Sequence, residues 1–231
     1  MKGVKLFREE TLQIPLHGDS SKEDDHDQSE VEEKKLVIEQ IFTASDTGSV
    51  VWDAGLILMD FLKNFRSMFT GQRILELGSG TGYVGIGSSL LGAEFVLLTD
   101  QEKQIPIIQR NIQRNIPHND DMETKPVDVL PLDWDSHSDL QLVVKRIQDV
   151  SNAGSSATSS MLEEKSSLNW IIGSDLVYGN GFRENLAHLL TNLLKIFPTA
   201  TVLISHEKRQ RCQLGKTRFV NSNVAIYLLT L

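Results

Sequence analysis

Directly behind an apolar run, the stretch ILELGSGTGYVG (residues 74–85) places four glycines within eight positions. An apolar run that stops at clustered glycines and resumes as helix-forming residues reads as a buried strand, a sharp turn and a helix. Gly78, Gly80 and Gly82 let the chain turn tightly and let a ligand touch main chain, and Gly85 lets the following helix pack closely on a sheet. In open α/β sheets such a loop sits at the carboxyl ends of parallel strands, where the strand order reverses and ligands bind.

The rest of the chain fits that frame. EFVLLTD (94–100) predicts a second strand, residues 126–130 a third, LNWIIGS (168–174) a fourth and TATVLIS (199–205) a fifth. Helices are predicted over 83–91, closed by Gly92, over 103–115 and over 185–197. This alternation predicts a doubly wound, Rossmann-like α/β sheet with helices on both faces. Upstream, LVIEQIF (36–42) reads as a short strand, and residues 47–49 as the start of a helix running through VVWDAGLILMDFLKNF (50–65).

Two segments carry too little apolar surface to fold. Residues 19–35 centre on SSKEDDHDQSEVEEKK, with eight acids, three lysines and almost no apolar side chains; they are expected to be a mobile, solvated linker. SNAGSSATSSMLEEKSS (151–167) reads as a low-complexity insertion with no core role. The division expected is therefore an N-terminal extension, 1–34, followed by one domain, 35–231.

The glycine loop alone is ambiguous, since Gly80-x-Gly82-x-x-Gly85 also matches the dinucleotide fingerprint. Asp100 stands twenty-two residues after Gly78 at the end of the next strand. A carboxylate there accepts hydrogen bonds from both ribose hydroxyls of a bound nucleotide. Nicotinamide dinucleotides and S-adenosylmethionine both carry that ribose. Glu76, two residues ahead of Gly78, favours the second: a carboxylate suits a cationic sulfonium and ammonium but opposes a pyrophosphate.

Charge and composition narrow the rest. A net charge of −8 argues against broad nucleic-acid binding. Cys212 is the only cysteine, which excludes an intramolecular disulfide and fits a reducing compartment, cytoplasm with the nucleus as an addition. No apolar run approaches the ~18 residues of a membrane span, and the first residues lack the apolar core of a secretory leader. The histidines other than His206, His118 and His137 included, show no metal-ligand spacing and are expected on the surface or in loops, and His206 is given no separate role; no metal is expected.

Several motifs together are more specific than the loop. VVWDAG, ELGSGTG, LLTD, LDW at 132–134, SDLVY at 174–178 and HEKR at 206–209 resemble the methyltransferase-like protein-lysine methyltransferases, seven-strand class I enzymes of the D-x-x-Y type. The resemblance covers about residues 35–209. It implies S-adenosylmethionine as cofactor and a lysine on a non-histone protein as substrate, a chaperone or a translation factor among the classes used. It implies that Trp52 lines the methionine end of the cofactor, that Gly78, Ser79 and Gly80 touch its backbone, that Asp100 holds its ribose, and that Trp134 lies against adenine. Ser174 corresponds to the small residue contacting the cofactor, and Asp175 and Tyr178 to the pair beside the incoming lysine. A monomer is expected. Read on their residue types alone, Trp52 is more often a core anchor, Asp175 could cap a helix and Tyr178 could be plain packing.

Other classes of function stay open on the sequence: a silent methyltransferase-fold binding protein, a methyltransferase of a small molecule, and a nicotinamide oxidoreductase. The C-terminus departs from the family. Family members follow the fifth strand with a helix and an antiparallel hairpin, whereas only RQRCQLGKTRFVNSNVAIYLLTL remains after Lys208. AIYLLTL supplies one strand, so the sheet is expected to be incomplete at that end, from about residue 210.

Overall fold

The computed structural model describes residues 4–15, 31–42, 48–117, 126–153, 168–177, 182–207, 217–221 and 224–229. Among them a seven-stranded sheet is built from β3 (Arg73–Leu77), β4 (Phe95–Asp100), β5 (Val127–Pro131), β6 (Trp170–Ser174), β7 (Thr201–Glu207), β8 (Thr217–Asn221) and β9 (Val224–Leu229). The spatial order is β5-β4-β3-β6-β7-β9-β8. The first five strands in this order are mutually parallel, and β9 then joins β7 antiparallel and pairs with β8. The order turns back between β3 and β6, which is where such sheets hold ligands.

Strand residues alternate between the two faces, as a pleated backbone requires. Ile74, Val96, Leu98, Ile172 and Leu203 point to one core, shared with α1 (Asp53–Asn64), α2 (Tyr83–Leu90) and α3 (Ile105–Asn115). Leu75, Leu77, Leu97, Ile171 and Val202 point to the other, shared with α4 (His137–Ala153) and α5 (Phe182–Ile196). Both faces are thus covered, as the alternating sequence predicts.

The N-terminal part differs from expectation. β1 (Val4–Pro15) pairs antiparallel along its whole length with β2 (Val31–Phe42). β2 therefore begins at Val31 rather than at Leu36, where the strand was expected, and the expected boundary at residue 34 falls inside it. Leu12 and Ile14 of β1 lie in the same core as Leu36 and Ile38. The charged start of β2 is tolerated because its residues pair through main chain and keep their side chains at the surface. Residues 19–30 of the acidic segment lie outside the described residues.

The outer edge of β2 is closed by side chains instead of a strand. Asn111 of α3 accepts from the Glu39 amide at 2.8 Å and donates to its carbonyl at 3.0 Å. One turn on, Asn115 does the same for Val37, at 2.7 and 2.8 Å. The i, i+4 spacing of a helix thus matches the i, i+2 spacing of a strand edge, and buried main-chain groups find partners.

Three further differences have local causes. The helix expected from residues 47–49 begins only at Asp53, because the Val51 amide donates to Gln40 and the Ser49 hydroxyl to Gln104, which holds residues 48–50 in a turn ahead of an extended Trp52. α4 occupies residues 137–153, where no helix was expected, so His137 opens a helix and the supposed insertion loses its first three residues to it; residues 154–167 lie outside the described residues. At the C-terminus both hairpin strands are present, and the sheet has its seven strands without the intervening family helix among the described residues.

Candidate functional site

The carboxyl ends of β3, β4 and β6 and the segment after β5 surround one cavity of about 380 Å³. The sheet creates it: the chain leaves β3 toward α2 on one side, and β6 enters beside it from the other, so the strand ends diverge.

The glycine loop forms the floor. Gly78, Gly80 and Gly82 all take left-handed backbone, with φ of 60°, 57° and 79°. At Gly80 a side chain is excluded twice over, since a Cβ would also stand 2.8 Å from the Gly48 carbonyl oxygen, a backbone atom that cannot swing away. The loop is locked to β4: the Ser79 amide donates to the Thr99 carbonyl, the Thr99 amide to the Ser79 hydroxyl, and the Thr99 hydroxyl to the Glu76 carbonyl. Asp100 accepts from the Gly80 amide at 2.8 Å and from the Gln101 amide at 2.7 Å. The glycine loop and the acid at the next strand tip, linked in the sequence only by spacing, are therefore in direct contact.

Glu76 is fully buried beneath the loop. Its Oε2 accepts from the Gly85 amide at 3.1 Å. A Cβ at Gly85 would lie 2.5 Å from that oxygen, so the glycine is what lets α2 sit this close to the carboxyl. Burial pushes the Glu76 carboxyl up to about 8; hydrogen bonds from Ser79 and Gly85 pull against this, and the Asp100 charge adds to it. At neutral pH the buried carboxyl is therefore biased toward its protonated form.

The remaining walls come from three other elements. Trp52, at the start of α1, is 43% exposed and lines the cavity, so it is no core anchor. Trp134 lines it from the turn between β5 and α4, with Leu132 and Asp133 beside it. Ser174 and Asp175 close the β6 side. Asp175 stands at a strand end rather than at a helix start, and it is the only non-glycine residue with positive φ, 51°, among the described residues. Aspartate enters this region more readily than most residues, and such positions gather at functional sites. Thus Trp52, Glu76, Gly78, Ser79, Gly80, Asp100, Trp134, Ser174 and Asp175 all face one space. Tyr178 lies outside the described residues.

Residues without a motif also line the cavity. Tyr83 of α2 does so, and its hydroxyl donates to Glu10 of β1, which pairs with Lys63 at 2.7 Å. Burial and the Glu10 carboxylate hold that hydroxyl well above its usual range. Asn185 of α5 lines the cavity from the Asp175 side. His206, one residue past the predicted strand and given no role in the sequence, is 1% exposed in β7, with Nδ1 3.0 Å from Asp175 Oδ1. The signal for its burial was its place in step with Val202 and Ile204, which a break at Ser205 conceals.

A profile of the lysine methyltransferase family matches residues 30–151, more than half of the chain. The chain belongs to the lysine methyltransferase family. The family segment contains the glycine loop, Asp100 and Trp134; Asp175 lies beyond it. The protein called protein N-lysine methyltransferase METTL21A in Danio rerio is 37% identical over 106 residues, covering 46% of this chain and 47% of that protein. Its Xenopus tropicalis counterpart is 29% identical over 169 residues, covering 73% and 64%. EEF1A lysine methyltransferase 3 of Xenopus tropicalis is 40% identical over 84 residues, covering 36% and 35%. The chain thus spans about half the length of the first of these relatives and under two thirds of the second.

Proposed function

We propose that the chain is an S-adenosylmethionine-dependent protein-lysine N-methyltransferase acting on a non-histone protein. The observation that carries this is the contact of Asp100 with the Gly80 amide in the same cavity that Asp175 closes, on a chain of the lysine methyltransferase family. The loop amides and Asp100 would hold the ribose end of the cofactor, Trp134 its adenine and Trp52 its methionine end; Glu76 would answer the cationic ammonium. The residues present fit that molecule, since the cavity offers bare main chain, a strand-tip carboxylate and two aromatic rings at separate walls. Bound there, S-adenosylmethionine supplies a methyl group open to in-line displacement.

The work left to the protein is positioning, which supplies several kcal/mol. A lysine amine, with an ordinary pKa of ~10.4, arrives protonated. Asp175 attracts the ammonium and, once a proton has left to solvent, accepts a hydrogen bond from the neutral amine, aiming its lone pair. Tyr178 completes the pair by family pattern. Partial burial and the neighbouring sulfonium charge both lower the amine's pKa, so a strong base is unnecessary.

The substrate class we favour is a translation factor or a chaperone, the first because one relative is named for EEF1A. We place the activity in cytoplasm and nucleus and expect a monomer. The test is methyl transfer from tritiated S-adenosylmethionine to a cell extract, with modified lysines mapped by mass spectrometry beside a Tyr178→Phe control. Label on lysine from the wild-type chain supports the reading; binding of nicotinamide dinucleotide in place of S-adenosylmethionine, or label on small molecules alone, overturns it.

A further inference from the structure

We propose that His206 is the positioning residue for Asp175, holding its carboxylate toward the lysine pocket, an inference that rests on the function just proposed. Asp175 follows β6 and His206 belongs to β7, and these strands run parallel with Ser174 opposite Ser205. The Asp175 amide donates to the Ser205 carbonyl at 2.9 Å, so ladder pairing continues one step past the end of β6. The next residues on each strand are Asp175 and His206, and their side chains meet at 3.0 Å. Both are buried, at 7% and 1% exposure.

The division of labour follows from access. Asp175 lines the cavity and His206 does not, so the imidazole cannot touch substrate and acts only through the carboxylate. The carboxylate needs such a holder. Its backbone sits at positive φ, where the chain has just left the sheet, and Oδ1 faces the imidazole nitrogen on the sheet side. The two atoms approach to 3.0 Å without hydrogen-bond alignment, and this close buried contact limits how the carboxylate can turn before the amine arrives. His206 is itself fixed: its strand pairs with β9, Ala225 lying opposite, and the preceding Ser205 hydroxyl donates to the Ala54 carbonyl of α1 at 2.8 Å. A rigid, buried nitrogen is what orientation of a neighbouring carboxylate to within a fraction of an ångström requires.

The experiment compares wild type with His206→Leu, His206→Asn and Asp175→Ala. Asparagine keeps a polar nitrogen near the position of Nδ1; leucine keeps bulk without one. Binding is read by calorimetric titration with S-adenosylhomocysteine, and transfer by the initial rate of tritium incorporation into lysines of a cell extract over a dilution series. His206→Leu is expected to bind S-adenosylhomocysteine like wild type and to lose roughly tenfold to a hundredfold in rate at saturating extract. His206→Asn is expected to recover most of that loss. Equal rates for wild type and His206→Leu overturn the proposal while leaving the methyltransferase reading intact. So does an equal loss of rate, binding and melting temperature in both His206 variants, which marks a purely structural residue. A wild-type chain that binds S-adenosylhomocysteine yet labels no lysine overturns the reading and the proposal together.

Discussion

Glu76 is a carboxyl stored without its charge, and its titration should be visible in the whole protein. From an ordinary 4.5 it is raised to about 8, chiefly by burial. Below pH 4.5 the group is protonated whether the chain is folded or not, and its contribution to stability is fully present. Between about 4.5 and 8 the unfolded chain ionises while the folded chain keeps the proton, so stability falls as pH rises; above 8 the loss is complete. At ~1.4 kcal/mol for each pH unit crossed between those two values, this amounts to several kcal/mol. Glu76→Gln retains an acceptor for the Gly85 amide and removes the titration. Its urea midpoint should therefore fall less than that of wild type from about pH 5 to about pH 8.5. A cationic ligand reverses the balance, because it favours the carboxylate. S-adenosylmethionine binding near neutral pH should release a proton, seen as a calorimetric enthalpy that depends on the buffer's ionisation heat, and the Gln variant should show none. Beside it, Gly80→Ala forces a Cβ onto the Gly48 carbonyl at left-handed φ. It should cost about 1–3 kcal/mol of stability and weaken cofactor binding, both measurable in one thermal-shift titration. Asp175→Ala should bind cofactor normally and transfer no methyl group; transfer at the normal rate sinks its assigned role.

At the scale of elements, the asparagines of α3 decide whether the hairpin stays docked. Asn111 satisfies the Glu39 amide and carbonyl and also donates to the Thr81 carbonyl in the glycine loop at 2.9 Å. Asn111→Leu leaves these three buried main-chain groups without that partner, at ~1–3 kcal/mol each before relaxation. A loss of about 3 kcal/mol, or roughly 6–12 °C in Tm for a chain this size, is expected, with weaker cofactor binding because Thr81 lines the cavity. None of this was legible in the sequence, since an asparagine on a helix face gives no sign of the strand edge it closes. What was legible is what short-range pattern dictates. The five parallel strands, the bend after Leu77 and the acid at Asp100 follow from apolar runs, glycines and spacing. Contacts between distant segments were not: residues 36–42 read as a strand, but β1, which is strand because β2 pairs with it, was not predicted. α4 escaped for another reason. Leu140, Val143, Ile147 and Val150 keep helical spacing, but the polar start DWDSHSD has the composition of a loop.

For the whole molecule, the C-terminal hairpin decides whether β7 lies at an open edge of the sheet. β7 buries Val202 and Leu203 completely and carries Ser205 and His206. β9 pairs with it from Val202 opposite Leu229 to Glu207 opposite Val224, and β8 then forms the outer edge. Without the hairpin, the outer main-chain groups of β7 would face solvent as a long unpaired edge, the arrangement that invites pairing between molecules. The same deletion strips the strand that fixes Ser205 and His206, and through them the end of α1 and Asp175. A chain ending at residue 216 should therefore fail in two linked ways. It should aggregate on dilution from denaturant, read by light scattering, and its soluble fraction should bind S-adenosylhomocysteine weakly although the glycine loop and Asp100 are untouched. Each defect separates the hairpin's role from that of a passive appendage. A truncated chain that stays monomeric, with unchanged Tm and cofactor affinity, would mean that the five parallel strands are self-sufficient and that β8 and β9 merely decorate them.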